Sequence, residues 1–330
     1  MLPPAPFPVN VAAPLPVRRR ARAAALALAT TALTTALTAA ALTGCGTDSD
    51  DPVPASDRSS ASEPSSDAPV TPSDEASPEP TSEASQEPSG TAIPVYFVGD
   101  GPGGAPRLFR EFQRVEGDPL TVAARLIAGG GQSVDPDYRT LWPQVEISSV
   151  SPTDGVILVE IPSDAFTERP DAMTRRDARL AVQQLVYTLQ GVQQERVPVQ
   201  VLRPDTDARL FGLSTEAPFA AKSPLRTLNL VNITSPAEGD TVSADTLMVT
   251  GVANSFEASG PCRLIVGGKE VALEGYQSDG WMEDRLFPFE VELPLDGVSG
   301  EVVVQCETDD PSGGTEGNGP AIDTKTITVD

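Results

Sequence analysis

The sequence predicts an α+β domain with two helices on a sheet, followed by an all-β sandwich, with a disordered N-terminal tether ahead of both. Three observations carry this reading. Residues 45–91 are mostly Ser, Pro, Glu, Asp and Ala with almost no large apolar side chain, so nothing there offsets the entropy of ordering. Residues 92–215 mix short β-branched runs with two stretches of helical period. From Leu228 to the end, short apolar runs alternate with turns and no helical period returns.

The first domain opens with Ile93–Val98, a strand by its β-branched and aromatic content. Gly99–Pro106 reads as a turn and Arg107–Val115 as the returning strand. Gly101-Pro102-Gly103-Gly104 superficially resembles a phosphate loop, but it lies between two strands and no Lys-Ser/Thr follows, so it is read as a hairpin tip. Asp118 caps a helix with Pro119 at its first position, and Gly129-Gly130-Gly131 ends it. Val145–Val150 and Gly155–Ile161 make a hairpin across Ser151–Asp154. A long helix from about Asp171 to Gln190 places Ala178, Ala181, Val182, Leu185, Val186 and Leu189 on one face. The mixed charges of Asp171–Asp177 read as its solvated face, or else as a docking face for a partner. Val197–Leu202 closes the sheet, with a short tail around Leu210-Phe211-Gly212.

Residues 216–227, carrying Pro218 and Pro224, form a short connector across which few contacts are expected. Residues 228–330 then hold seven predicted strands: Leu228–Thr234, Leu247–Val252, Arg263–Val266, Glu270–Leu273, Phe287–Leu293, Glu301–Glu307 and Lys325–Val329. That density of strands is the pattern of an immunoglobulin-type sandwich.

The N-terminus sets the expected location. Arg18, Arg19, Arg20 and Arg22 precede Ala23–Ala41, which contains only Ala, Leu and Thr, and Leu42-Thr43-Gly44-Cys45 follows. This is a secretory signal over residues 1–44. The Leu-Thr-Gly-Cys arrangement resembles the bacterial lipobox, in which the cysteine is acylated and becomes the first residue of the mature chain. An ordinary signal peptide and an uncleaved anchor helix remain as alternatives. Lipidation at Cys45 implies a protein anchored on the extracytoplasmic face of the cell membrane, with about 285 residues outside. The tether would hold the folded part clear of lipid.

Composition excludes several functions. The formal charge of −24, about −28 once the signal is removed, repels nucleic acid, and no nucleic-acid partner is expected. The chain has no histidine, which removes Ser-His-Asp and Cys-His catalysis and the usual zinc sites. No catalytic constellation stands out, and no cofactor or metal is expected. Asp135-Pro136-Asp137 and the loop from Asp309-Asp310-Pro311 to Glu316 and Asn318 are acidic, but neither has the spacing of a calcium loop; both read as polar hairpin loops. With Cys45 committed to lipid, Cys262 and Cys306 are an even pair in an oxidising compartment, which favours a disulfide over two buried thiols.

Two segments resemble known families. Asn232–Gly239, Val249–Ala253, Phe256-Glu257-Ala258, Asp309–Gly314 and Asp323–Val329 are similar to Gmad2, an immunoglobulin-like domain associated with bacterial spore germination proteins. Pro94-Val95-Tyr96-Phe97, the helix Asp118–Ala128, the strand Gly155–Ile161 and the helix Thr174–Leu189 with Pro198-Val199 resemble the GerMN domain of sporulation and spore germination. In tandem behind a lipobox, they look like an actinobacterial-type envelope lipoprotein. The resemblance implies no catalytic residues and an assembly or interaction role in the envelope, with a protein or cell-wall partner. Two rivals are a glycan or small-ligand binder using Tyr276 and Trp281, and a carboxylate-dependent wall hydrolase.

Overall fold

The computed structural model describes residues 90–203, 208–310, 312 and 317–330. The expected signal peptide over residues 1–44, the expected lipidation site Cys45, the expected tether up to residue 89 and part of the second acidic loop lie outside the described residues.

The first domain runs β1 (Thr91–Gly101), β2 (Ala105–Val115), α1 (Pro119–Ala128), β3 (Ser149–Thr153), β4 (Val156–Glu160), α2 (Arg175–Gln193) and β5 (Val199–Leu202). This is the predicted order of strands and helices. Local chemistry sets both helix starts. The Asp118 carboxylate accepts from the Thr121 N–H at 2.8 Å ahead of Pro119. Thr174 and Asp177 form a reciprocal capping box at the start of α2. The helix therefore begins four residues later than its charge pattern suggested. Leu120, Ala123, Ala124 and Ile127 of α1 and Ala178, Ala181, Leu185 and Leu189 of α2 are buried in one core with Val95, Phe97, Ile157 and Val199.

Two details differ from expectation. The strands do not form one sheet: β1 and β2 make a two-stranded sheet that reaches further backbone only through single bridges, Val98 to Arg139 and Leu108 to Leu228, while β3, β4 and β5 make a separate three-stranded sheet. The β3–β4 hairpin also starts at Ser149, so Pro152 lies inside the ladder and the turn is Asp154-Gly155. Val145 and Ile147 are buried but irregular. Their apolar alternation reflects burial beneath α1, where Arg125 donates to the Ile147 and Ser148 carbonyls.

A two-residue ladder, β6 (Arg209–Leu210) with β7 (Leu213–Ser214), follows, then the one-turn helix α3 (Pro224–Thr227). The segment expected to be a loose connector is tied down: Val199 and Phe219 exchange backbone hydrogen bonds at 2.9 and 2.8 Å.

The second domain is β8 (Val231–Ser235), β9 (Thr241–Val242), β10 (Thr246–Ala253), β11 (Ser259–Val266), β12 (Lys269–Ser278), β13 (Phe287–Pro294), β14 (Gly300–Glu307) and β15 (Ile322–Val329). All seven predicted strands are present, and the additional β9 pairs parallel to the end of β15. They form one eight-stranded sheet, ordered β8-β10-β13-β12-β11-β14-β15-β9. The sheet curls because β12 pairs along most of β11 but meets β13 only at Gln277 and Ser278. Its two halves face each other across Ile233, Val249 and Val291 on one side and Leu264, Val304 and Ile327 on the other.

Cys262 and Cys306 are direct partners on β11 and β14, joined by a disulfide with Cα atoms 4.1 Å apart. The bridge thus links neighbouring strands within the sheet. That separation lies near the approach of a non-hydrogen-bonded antiparallel pair, about 4.5 Å. It closes a loop with a sequence separation of 44, for which chain entropy gives roughly 3–4 kcal/mol. Reduction of the bridge, or replacement of both cysteines by alanine, is expected to lower stability by about that amount in denaturant unfolding. An unchanged midpoint would mean the covalent link adds nothing to this ladder.

Candidate functional site

The most concentrated chemistry among the described residues lies in a polar seam between the two domains. It starts with Glu111 on β2, whose buried carboxylate accepts from the Val134 and Asp135 N–H groups at 3.0 and 2.9 Å. This pins the loop after α1 so that Asp135 and Tyr138 point at the second domain. From that side β15 presents Asp323 and Lys325 on the same face as Ile327 and Val329.

These groups form a closed network. The Lys325 ammonium donates to Asp135 Oδ2 at 2.5 Å and to the Tyr138 hydroxyl at 2.7 Å. Tyr138 donates to Asp323 Oδ1 at 2.5 Å, and the other oxygen of Asp323 accepts from the Ile233 N–H at 2.6 Å. Lys325 also stands 3.6 Å from Asp323 and 4.4 Å from the Tyr138 ring centre. The side chains of Lys325, Asp135 and Asp323 are 4 %, 2 % and 1 % exposed, so these charges are compensated by one another rather than by water. Around them, Arg110 donates to Asn232 and Thr234, Thr324 donates to Asp137, and the Asn229 N–H reaches the Leu108 carbonyl. Val98, Leu108, Tyr187 and Leu228 pack as an apolar strip beside the network. The expectation of few contacts between the domains is therefore not met. Their facing surfaces are finished only when joined.

The electrostatics follow from one cation shared by two acids. Burial alone would push the Lys325 ammonium down, but Asp323 and Asp135 outweigh it and hold it above the ordinary lysine value. Burial pushes the Asp323 carboxyl up, and Lys325, the Tyr138 hydroxyl and the Ile233 N–H pull it back only part of the way. Burial and the two neighbouring carboxylates place the Tyr138 phenol well above its usual value.

The other singled-out residues are dispersed. Asp135 is consumed by Lys325, and Asp137 accepts from Thr324, so this acidic loop is a docking element. In the second acidic loop the Asp310 carboxylate accepts from the Ser312 N–H and hydroxyl. Tyr276 is buried, stacked on Phe289 at 4.2 Å with its hydroxyl on the Glu307 carbonyl, and offers no platform to a sugar. Trp281 is partly exposed and meets Phe256 edge-on at 5.3 Å. Phe256 is 44 % exposed and does not plug the sandwich. No helix among the described residues is long and apolar enough to cross a membrane.

Residues 94–202 match the family described as sporulation and spore germination (Germane), and residues 230–315 match Gmad2, described as the immunoglobulin-like domain of bacterial spore germination. The chain carries the two domains in tandem. Neither is an enzymatic family. The seam thus joins the germination domain, through Glu111, Asp135 and Tyr138, to β15, which follows the Gmad2-matched residues and completes their sheet. No curated protein matches the chain. Among solved structures, an engineered protein is 14 % identical over 46 % of this chain and 36 % of its own, with a TM-score of 0.26. This chain therefore spans about a third of that protein's length. A putative lipoprotein from Clostridium perfringens is 13 % identical over 39 % of this chain and 87 % of its own, with a TM-score of 0.25. The tandem GerMN domains of the sporulation protein GerM from Bacillus subtilis are 12 % identical over 61 % of this chain and 60 % of theirs, with a TM-score of 0.32. Likenesses this slight carry no argument.

Lys325→Met is expected to destabilise the folded chain by about 3–5 kcal/mol, because it strands two buried carboxylates. Adding Asp135→Asn and Asp323→Asn should recover a large part of that loss in denaturant unfolding. A single variant as stable as the parent would show that the network does not hold the domains.

A pH dependence follows from the same three shifts, each of which makes the folded seam hold its proton more tightly than the unfolded chain. The stabilisation from Lys325 and Tyr138 is complete below their ordinary values of 10.5 and 10.0 and is lost as pH rises through the raised folded values. The contribution of Asp323 is present below 3.8 and is lost as pH climbs through its raised value. Lys222 and Lys269, the other two lysines, are exposed. The thermal midpoint should therefore fall above about pH 10 more steeply for the parent than for Lys325→Met. Parallel curves would remove Lys325 from the titration.

Proposed function

We propose that this chain is a non-enzymatic, lipid-anchored envelope protein that presents its two domains as one interaction scaffold on the extracytoplasmic face of the cell membrane. The observation that carries the reading is the buried seam. It commits the most buried carboxylates among the described residues, Asp135 and Asp323, to holding two germination-associated domains together. Acids spent in this way are not held in reserve for hydrolysis. A rigid pair of domains on an extended acidic tether suits a partner in the envelope or cell wall, with the membrane engaged only through the lipid on Cys45. The link to sporulation or germination enters through the two matched families.

A glycan-binding reading keeps one supporting feature, the partly exposed Trp281–Phe256 pair. If it is right, Trp281→Ala abolishes retention on cell-wall glycan.

The anchor is tested by Cys45→Ala, which should stop acyl labelling and move the protein from the membrane to the soluble fraction. Retention of that variant in the membrane would sink the lipoprotein reading. The scaffold is tested by cross-linking in the native cells, where the parent should capture an envelope protein or wall polymer and a seam-broken Lys325→Met chain should lose it. Equal capture by both would separate partner binding from the joined domains.

A further inference from the structure

Four arginines from three parts of the first domain converge on one cavity of about 500 Å³, far along the chain from the seam. Arg169 comes from the segment before α2, Arg175 and Arg179 from successive turns of α2, and Arg209 from β6; Glu168 and Leu213 complete the wall. All four arginines are exposed. Among the described residues their one ion pair is Arg209 with Glu168 at 3.7 Å, while Arg169, Arg175 and Arg179 have none.

This arrangement works against the fold that carries it. Cations gathered at one cavity repel each other. Arg175 and Arg179 also sit at the positive end of the 19-residue helix α2, where an anion is favoured and a cation is not. The acid in the first turn, Asp177, is engaged with Thr174 in the capping box. A chain with a formal charge of −24 had acidic residues to place there, yet among the described residues of the lining four cations face one glutamate.

We propose that this cavity binds a compact ligand carrying one or two phosphate groups. Guanidinium forks pair bidentately with phosphate oxygens. Forks arriving from three different elements suit a tetrahedral phosphate, whose oxygens point in several directions, better than a planar carboxylate. Among the described residues the cavity has no aromatic wall on which a base could stack, and Leu213 is the one large apolar residue of its lining. The acidic surface elsewhere repels a long polyanion that would run beyond the cavity. The phosphate can belong to a free metabolite or to a lipid headgroup, and the experiment separates the two. The proposal goes beyond the scaffold reading, and its vesicle arm is run without the lipid anchor.

The test is calorimetric titration of the purified full chain with inorganic pyrophosphate. In parallel, phosphatidylglycerol vesicles are compared with phosphatidylcholine vesicles by flotation, using the Cys45→Ala chain so that no lipid confuses the readout. Saturable, salt-sensitive pyrophosphate binding is expected, weakened about tenfold or more by Arg175→Gln with Arg179→Gln. Arg209→Gln should weaken it too, whereas Lys269→Gln, a cation removed elsewhere on the surface, should not. The altered side chains are exposed, and an unchanged thermal midpoint will show that each variant is folded. Pyrophosphate binding without flotation assigns a free phosphate, and flotation with phosphatidylglycerol that is lost in the arginine variants assigns a headgroup. No binding of either probe, binding untouched by the arginine variants, or equal binding of citrate would overturn the proposal.

Discussion

Lys325 is drawn into the interior of this protein by two acids that approach it from different directions. Asp323 lies two residues away on the same strand, and Asp135 comes from the other domain, a separation of 190 residues. Taking such groups out of water costs several kcal/mol for each ion, and the mutual attraction balances that cost only when the geometry is close. Any docking of the two domains that moved Asp135 away from Lys325 would leave a charge buried without a partner. The network therefore selects one relative placement, and Tyr138 reinforces it by accepting from the lysine and donating to Asp323. The apolar strip of Leu108, Tyr187 and Leu228 adds area but little direction.

The neighbouring elements are arranged around this constraint. Glu111 spends its carboxylate on holding the Asp135 loop in place. Asn232, buried on β8, accepts from the Arg110 N–H of β2 and donates to the Asn229 carbonyl through its side chain, bonds that an apolar residue could not make. The curl of the eight-stranded sheet brings β15 beside β8, so that the Ile233 N–H can meet Asp323. On the same core-facing side, Cys306 is the direct partner of Asp323, and its bridge to Cys262 fastens β11 to β14, the strand that pairs with β15. The strand presenting the lysine is thus held by β14 along one edge, by β9 at the end of the other, and by β8 through the Asp323 carboxylate.

How much of this was legible depended on the range of the interaction. Asp118-Pro119 and Thr174 with Asp177 act within one helical turn, so helix existence and, for α1, both ends could be read directly. Alternation placed the strands of the second domain, because one buried face imposes a period of two. The same alternation carries a clue to the seam. In β15, Asp323 and Lys325 share the parity of Ile327 and Val329, and charges on a core-facing parity need partners. Conversely, the rival reading that offers Tyr276 to a sugar fails because aromatic content does not reveal which face of β12 is covered.

The sequence by itself determined the order of elements, the helix caps, the cysteine parity, the absence of histidine chemistry and the division into an α+β part and a β part. Each of these follows from neighbouring side chains or from composition. Only the tertiary structure decided that the first domain splits its strands into two sheets, that the second curls as one, and that Lys325 meets Asp135. The gathering of Arg169, Arg175, Arg179 and Arg209 around one cavity was likewise invisible in the chain order. The physical reason is the same in each case. Pairing between distant segments is settled by which surfaces can be desolvated together, and that balance exists only once the chain has brought them into contact.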